Sequence, residues 1–271
     1  MNIGLIDSHC HLNHHGIEGL GTPAEIMAAA NAAGVGGALT ISCQIVSDFP
    51  SVLPVARAHK NVWCTVGTHP HDAGAPEEAA ISLDELVKLA NSDPKIVGIG
   101  ESGLDYYYNH SDKAAQQESF RKHIRACIQT GLPLVVHARD ADEDIVTILR
   151  EEGAGTNPRL KGVMHCFSST RWLAERSLEL GFYISFSGIL TFKKSEDLRD
   201  IARDVPLDRL LVETDSPYLA PEPLRGKTNQ PAYICHTLRT LAEIKKIDEQ
   251  RAIRICNKNF FDLFDRAVIS S

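Results

Sequence analysis

The sequence of 271 residues lacks any apolar run near the roughly 18–20 residues that a membrane-spanning helix needs. It also lacks a basic segment followed by a long apolar stretch at its start, so no signal peptide is expected. Its seven cysteines are scattered, unlike the dense, paired set of a small secreted disulfide scaffold. We therefore expect free thiols, no membrane partner and a cytoplasmic location.

Positive charge is also scarce, since 28 lysines and arginines against 35 acidic residues give a net charge of −7. A protein that binds long nucleic acid without sequence preference usually has a basic surface, which displaces counterions from the phosphates. This charge balance confines any phosphate chemistry to a local pocket. No linker, repeat or low-complexity segment is visible, so we expect one barrel-sized domain over residues 1–271. No obligate protein partner is evident.

Eight short apolar runs alternate with segments of helical periodicity. The runs are nearly continuous in apolar residues, which is typical of parallel strands covered on both faces. Eight strand–helix units in about 215 residues predict an α/β fold of the (β/α)8 TIM barrel type. An open doubly wound sheet is the second choice, because no glycine-rich phosphate fingerprint follows the first run. The runs are NIGLID, GGALTIS, NVWCTVG, KIVGIG, LPLVVHA, KGVMHC, GFYISF and DRLLVET.

Several predicted helices have recognisable limits. Ser82, with Glu85 three residues later, forms a capping box at the start of one helix. Apolar side chains recur at helical spacing over residues 113–130, before a glycine that ends the helix. Two further segments, roughly residues 230–246 and 248–265, predict additional C-terminal helices after the eighth strand.

Four histidines lie within the ten residues IDSHCHLNHH, directly behind the first apolar run. Because strand side chains two residues apart face the same way, His9 and His11 point together and Cys10 points away. Five other side chains of metal-ligand type each end a different predicted strand. In a barrel those strand ends converge on one mouth, where active sites are built. They are His69, Glu101, His137, His165 and Asp215.

A histidine satisfied within the core would explain any one of these positions. It does not easily explain five strand ends that all carry side chains able to bind metal. The sequence therefore predicts a metal site at the barrel mouth. His71 is ambiguous, because Pro70 interrupts strand geometry before it.

The motifs around these residues resemble those of the TatD family of metal-dependent deoxyribonucleases, within the amidohydrolase superfamily of (β/α)8 barrels. They occur in family order from residue 5 to about residue 234, and the closing NKNFFDLF also matches. No ligand position is substituted. The motifs are DSHCHL, GTHPH, GIGESGLDYY, VVHARDA, HCFSS, ETDSPYLAP and LRGKTNQPAYI.

The resemblance implies a hydrolase with two divalent metal ions as cofactors and a bridging carboxylate. Zinc, manganese and magnesium all stay open, although imidazole ligands favour the first two over magnesium, which prefers oxygen. The catalytic residues would be Glu101, as the bridge, and Asp215, which would orient the attacking water and move its proton. By motif, the first ion would bind His9, His11 and Asp215, Glu101 would bridge, and the second ion would bind His137 and His165.

The substrate implied is single-stranded DNA or a short nucleotide, cleaved as an exonuclease would. An acidic protein with a deep mouth suits a chain end better than a long duplex, and 3′-to-5′ polarity comes from the resemblance alone. His69 is a candidate substrate contact because it faces inward at a strand end. Arg139 and Arg225 are cations that can hold phosphates beside the scissile one. Tyr107 and its neighbouring tyrosines can stack an unpaired base, or simply pack at the rim.

Two other functions stay open at this point. A superfamily hydrolase acting on an amide or ester of a small molecule would use the same metal geometry. The other alternative is a non-catalytic scaffold stabilised by metal. Structural zinc sites are usually closed, four-coordinate and rich in cysteine, unlike this set of six mixed ligands.

Overall fold

The computed structural model describes residues 3–269, and its eight strands form one parallel sheet. Each strand pairs with its neighbours in sequence, from the first to the eighth. Consecutive parallel strands with helices between them form the predicted (β/α)8 TIM barrel. The strands are β1 (Leu5–Cys10), β2 (Val35–Thr40), β3 (Val62–Val66), β4 (Ile96–Asp105), β5 (Leu134–Arg139), β6 (Gly162–Met164), β7 (Tyr183–Phe186) and β8 (Leu210–Val212).

Ten α-helices accompany the strands in the described part of the chain. The capping box predicted at Ser82 forms, since its hydroxyl accepts from the Glu85 amide and the Glu85 carboxylate accepts from the Ser82 amide. The first C-terminal helix starts later than predicted, because a 3-10 turn at Pro231–Tyr233 precedes it, and the second starts directly after Asp248, whose side chain caps it. The helices are α1 (Pro23–Ala32), α2 (Phe49–Ala58), α3 (Pro76–Ala79), α4 (Leu83–Ala90), α5 (Lys113–Thr130), α6 (Asp142–Glu151), α7 (Arg171–Glu179), α8 (Glu196–Asp204), α9 (Ile234–Lys245) and α10 (Glu249–Leu263).

Backbone hydrogen bonds link the two ends of the sheet at the carboxyl ends of β8 and β1. The Asp215 amide donates to the His9 carbonyl over 2.9 Å, and the His11 amide donates to the Ser216 carbonyl over 2.9 Å. These bonds bring the His-x-His segment beside the residues that follow β8. We call the carboxyl ends of the strands, with the loops that follow them, the mouth of the barrel.

The barrel interior is filled by one apolar side chain from each strand, mostly the first or second residue of the strand. Helix α10 covers this amino end of the barrel and packs Phe260 and Leu263 against the layer, together with Phe264, which directly follows the helix. The rest of the core lies between the strands and the surrounding helices. The inward layer consists of Ile6, Leu39, Trp63, Val97, Val135, Val163, Tyr183 and Leu211.

Two asparagines attach α10 to the strands that meet at the barrel seam. Asn257 Oδ1 accepts from the Ile6 amide over 3.0 Å. Asn259 Nδ2 donates to the carbonyls of Leu207 and Leu210, each over 2.8 Å. The closing motif NKNFFDLF is therefore the segment that seals the amino end of the barrel.

Over residues 3–269 we find no helix with the length and apolar character needed to cross a membrane.

Candidate metal centre

Most of the predicted site residues follow inward-facing residues of their own strands in steps of two. On β5, His137 comes two residues after Val135, and after β8, Asp215 comes four residues after Leu211. Since side chains two residues apart share a face of a strand, these positions face the barrel axis. Succeeding residues along each strand lie nearer the mouth, so the apolar layer lies below and the polar side chains above.

On β1, the alternation of inward-facing and outward-facing side chains shifts before the strand reaches the mouth. Ile6 faces the interior, so strict alternation would turn His9 and His11 outward. The pairing register of β1 with β2 shifts between Asp7 and Cys10, as in a β-bulge. Beyond the shift, Cys10 packs into the outer core and the two histidines reach the mouth, as the sequence predicts.

His9, His11 and Asp215 form a first group of donor atoms. Asp215 Oδ1 lies 3.4 Å from His11 Nε2 and 3.7 Å from His9 Nε2. Burial opposes ionisation of Asp215, but its contacts with His11 and His9 outweigh burial and hold its carboxyl pKa below the ordinary value. An anionic oxygen thus faces two imidazole nitrogens.

Glu101 joins this first group to a second one. Its Oε2 lies 3.4 Å from His9 Nε2, while its Oε1 lies 2.6 Å from His165 Nε2 and 2.9 Å from His137 Nδ1. Burial opposes ionisation of Glu101, but the imidazoles of His165 and His69 hold its carboxyl pKa well below the ordinary value. The two oxygens of one carboxylate therefore face different groups, as a bridging ligand requires.

The donor atoms of this cluster are better placed to bind divalent cations than to form hydrogen bonds with one another. Both ring nitrogens of His9 are buried and lack a hydrogen-bond partner, which would cost about 1–3 kcal/mol for each atom. Ligand atoms about 2.0–2.2 Å from a shared zinc ion lie roughly 3.0–3.6 Å apart. The closest His9–Glu101 and His11–Asp215 approaches are both 3.4 Å. This imidazole–carboxylate cluster is thus one that can bind metal.

A second carboxylate lies on the far side of His137. Asp105 Oδ2 lies 3.1 Å from His137 Nε2 and 2.8 Å from His71 Nε2, and its Oδ1 accepts from the Tyr108 amide. Burial opposes ionisation of Asp105, but these hydrogen bonds, that of His137 foremost, hold its carboxyl pKa well below the ordinary value. An imidazole held by a carboxylate at one nitrogen presents the other nitrogen in a fixed tautomer. His137 therefore directs Nδ1 at Glu101, and the ambiguous His71 supports it from behind.

Glu213 has the corresponding position behind His165. Its Oε1 lies 3.3 Å from His165 Nδ1 and accepts from the Cys166 amide over 2.7 Å. Glu213 precedes Asp215 by two residues, so the same strand face supplies both carboxylates. Its position leaves His165 Nε2 directed at Glu101.

Sequence reasoning missed Cys43, which joins the cluster from the segment after β2. Its Sγ lies 3.7 Å from His11 Nδ1, and it forms a donor group with His11 and Glu101. The sequence contains one signal for this position. Leu39 and Ile41 face the interior, and Cys43 follows them in the same two-residue alternation. No histidine or carboxylate ends this strand, so the pattern of strand-end ligands does not include it.

The three predicted substrate contacts have different surroundings. His69 belongs to the cluster, since its Nε2 lies 3.4 Å from Glu101 Oε1 and its side chain is largely buried. Arg139 lies at the rim of the mouth, over two tyrosine rings. The Arg225 guanidinium lies 4.0 Å from the ring centroid of Phe192, a contact that does not join it to the cluster.

An imidazole–carboxylate cluster at the mouth of a (β/α)8 barrel defines the class of metal-dependent barrel hydrolases. The family described as TatD related DNase matches residues 6–265 of this chain. The chain belongs to the TatD family of metal-dependent hydrolases, as its motifs predict.

Relatives and solved structures agree with this assignment. The uncharacterized metal-dependent hydrolase YcfH of Escherichia coli strain K12 is 42% identical over 261 residues, which cover 96% of this chain and 95% of YcfH. The 3′-5′ ssDNA/RNA exonuclease TatD of Salmonella typhimurium is 32% identical over 250 residues, 89% of this chain and 92% of that protein. The crystal structure of YJJV, a TatD homolog from Escherichia coli K12, superposes with a TM-score of 0.86 at 27% identity, covering 98% of this chain and 99% of that one.

Proposed function

We propose that this chain hydrolyses phosphodiester bonds at the ends of single-stranded DNA or of short nucleotides, in the 3′-to-5′ direction. The observation that carries the proposal is the position of Glu101 between two imidazole-rich donor groups. The name of the Salmonella relative, a 3′-5′ ssDNA/RNA exonuclease, supports the substrate class and the polarity. The net charge of −7 favours a chain end over a long duplex, which needs many cationic contacts.

The two donor groups suit two divalent cations that share Glu101. Divalent cations bound there would supply a coordinated water with a pKa nearer neutrality and would offset negative charge on phosphoryl oxygens. The imidazole content favours zinc or manganese over magnesium. The residues that would hold the first ion are His9, His11 and Asp215, and those that would hold the second are His137 and His165, with Glu101 common to both.

Asp215 is the residue we assign to proton transfer. Its side chain is 14% exposed at the mouth, and its carboxyl pKa lies below the ordinary value, so it is ionised and within reach of solvent. It can orient the attacking water and accept its proton as the oxygen–phosphorus bond forms. The bond from phosphorus to the leaving strand oxygen then breaks, and that oxygen takes up a proton. His69, beside Glu101, borders the same space and is assigned to substrate binding.

We also propose that residues 1–271 form a single domain that works in the cytoplasm. The described fold is one barrel with one continuous interior layer. All seven cysteines are free thiols, as is usual in a reducing compartment.

The test measures metal-reconstituted protein on single-stranded oligonucleotides labelled at the 3′ or the 5′ end. We expect stepwise release of nucleotides from the 3′ end. Asp215→Ala should lower kcat by about 10²- to 10⁴-fold, the usual contribution of a general acid or base. Asp208→Ala is the matched control, because this exposed aspartate lies before β8, at the opposite end of the same strand.

Either of two results would overturn the proposed phosphodiesterase function. Turnover of amide or ester substrates alone, abolished in Asp215→Ala, would make the protein a small-molecule hydrolase. Phosphodiesterase activity that survives intact in a purified Glu101→Ala protein would place the activity outside this cluster and leave the barrel as a metal-stabilised scaffold.

A further inference from the structure

A groove of about 940 Å³ lies beside the metal centre, between helix α8 and the loops that follow β4, β5 and β6. It starts at Ala138 and Arg139, the residues that directly follow His137 in the chain, and Tyr107 and Ser168 also line it. Small-molecule sites typically have volumes of about 300–1,000 Å³, so the groove can hold a nucleotide. The steps assigned to Asp215, Glu101 and His69 leave this space unused.

Arg139 presents its hydrogen-bond donors to the groove without an acidic partner. Its Cζ lies 4.5 Å from the ring centroid of Tyr107 and 4.7 Å from that of Tyr108. Within residues 3–269, no carboxylate oxygen lies within 4.0 Å of its guanidinium nitrogens, whereas Arg171, another residue of the groove, pairs with Asp204. A guanidinium held over aromatic rings keeps its N–H donors free, and phosphate is the anion that this planar fork fits.

Tyr107 provides an aromatic surface next to this cation. Its ring is 60% exposed and meets the ring of Tyr108 edge-on, at 4.9 Å between centroids. Arg139 occupies one side of the Tyr107 ring, and the exposure leaves area for a second flat group. Nucleobases stack on exposed aromatic rings with little dependence on base identity.

The opposite wall of the groove is acidic. Asp197 and Asp200 of α8 line it, both exposed, and Asp200 is paired with Arg203. Asp140, next to Arg139 in the chain, also lines the groove, and Arg171 is paired with Asp204, so Arg139 is, among the described residues, the lining cation without a paired carboxylate and the place for a single phosphate. The charge distribution therefore fits one nucleotide unit better than a strand that continues through the groove.

We propose that this groove is a nucleotide subsite, which binds the unit next to the scissile phosphate with its phosphate on Arg139 and its base on Tyr107. The proposal rests on the proposed phosphodiesterase function, because it assigns the neighbour of the bond to be cleaved. It adds to that function a binding site for one unpaired nucleotide beside the cluster. Stacking requires an unpaired base, and the acidic wall disfavours a continuing strand.

The test compares Arg139→Ala and Tyr107→Ala with the wild-type protein. We expect KM for a single-stranded oligonucleotide to rise by roughly 5- to 150-fold, which corresponds to the 1–3 kcal/mol of one stacked base. The ratio of kcat/KM for the oligonucleotide to that for bis(p-nitrophenyl) phosphate, which has no nucleoside, should fall by a similar factor. Tyr107→Phe, which keeps the ring, should restore most of the loss.

Binding provides a second readout that does not depend on turnover. The dissociation constant of a fluorescein-labelled hexathymidylate on metal-free protein, measured by anisotropy, should rise in both alanine variants. Arg209→Ala is the matched control, because Arg209 also lies over a tyrosine ring, 5.0 Å from the Tyr183 centroid, but at the amino end of the barrel. This control should bind and turn over the oligonucleotide as the wild type does.

The outcomes separate this subsite from the proposed function. If the wild type hydrolyses oligonucleotides while both alanine variants keep KM and the dissociation constant within about twofold, the subsite is wrong and the phosphodiesterase stands. If the wild type hydrolyses no phosphodiester but still binds hexathymidylate through Arg139 and Tyr107, the subsite stands and the proposed reaction is wrong.

Discussion

Among single residues, Asp105 has a role that its burial alone does not explain. Three donors converge on its two oxygens, two of them imidazole nitrogens of His137 and His71 and one the Tyr108 amide. An asparagine has one acceptor oxygen and cannot satisfy all three donors. The carboxylate therefore keeps the proton of His137 on Nε2 and leaves Nδ1 for Glu101.

Replacing Asp105 with asparagine should weaken divalent metal binding by about 10- to 100-fold, the usual effect of losing a partner that orients a metal-binding histidine. Competition of the protein with a chelating dye for zinc or manganese measures this change directly. Asp208→Asn, at an exposed position near the other end of the barrel, should leave the affinity as it is. Equal affinity in the Asp105→Asn and wild-type proteins would show that His137 does not need this carboxylate.

His123 makes the stability of the fold depend on pH. Its Nε2 accepts from the Thr68 amide over 3.0 Å, and its Nδ1 donates to the Ser119 carbonyl over 2.7 Å, in a fully buried position. Burial lowers its pKa to about 4, whereas the pKa in an unfolded chain is about 6.5. Between these values the unfolded chain binds the proton and the folded protein does not. Stability is therefore lost as pH falls from about 6.5 towards 4.

Urea unfolding of the wild type and of His123→Gln at pH 7 and pH 5 tests this dependence. The variant should be less stable at pH 7, because the glutamine amide does not fill the buried volume of the ring or hold its acceptor and donor at the positions of the two ring nitrogens. Between pH 7 and pH 5, the free energy of unfolding of the variant should fall by about 2 kcal/mol less than that of the wild type. Comparing the two proteins separates the effect of His123 from that of the other histidines. Equal losses of unfolding free energy in both proteins would show that His123 does not cause the pH dependence.

At the level of elements, α10 seals the end of the barrel opposite the imidazole–carboxylate cluster. The Phe260 ring lies 5.5 Å from Trp63 and 4.9 Å from Phe264, measured between centroids, and all three side chains are buried. Asn257 and Asn259 fix the helix to the first and last strands. The helix thus keeps water from the interior layer that lies below the imidazole–carboxylate cluster.

Phe260→Ala should lower the free energy of unfolding by about 3–5 kcal/mol, as expected for a large aromatic ring removed from a packed core. Phe261→Ala is the control on the same helix, since Phe261 is only partly buried and should cost less. Urea unfolding measures both changes. Because α10 lies far from the mouth, kcat per folded molecule should match the wild type in both variants, and a selective loss of kcat in Phe260→Ala would contradict this separation.

The elements and many site positions were predictable because their signals are local. A capping box starts α4, and two-residue alternation carries His137 to the mouth. The rest depends on contacts between strands. The bulge that sets the face of His9 is visible only in the pairing of β1 with β2. Likewise, the contact of Cys43 with His11 and that of Asp105 with His71 join segments 30 or more residues apart.

For the molecule as a whole, a bound metal would join strands that are distant in sequence. Ions that bind only the folded state stabilise it by about 2.7 kcal/mol at a free concentration 100 times the dissociation constant. Chelation should therefore lower Tm by roughly 5–10 °C in scanning calorimetry. His9→Gln should reduce this difference, and His59→Gln, at the end of α2 away from the cluster, should retain it. An undiminished difference in His9→Gln would remove His9 from the metal centre.

The number of phosphates that the protein contacts determines how its binding of single strands should respond to salt. For single strands, the logarithm of the binding constant falls with the logarithm of salt concentration by about 0.7 for each phosphate contacted. One cation, Arg139, in a groove with an acidic far wall predicts a slope near −0.7, reduced towards zero in Arg139→Ala. Anisotropy titrations of labelled oligonucleotides from roughly 50 to 200 mM salt measure this slope. A slope steeper than about −3 would mean that the strand follows cations along the surface, and the protein would then act on long chains rather than on their ends.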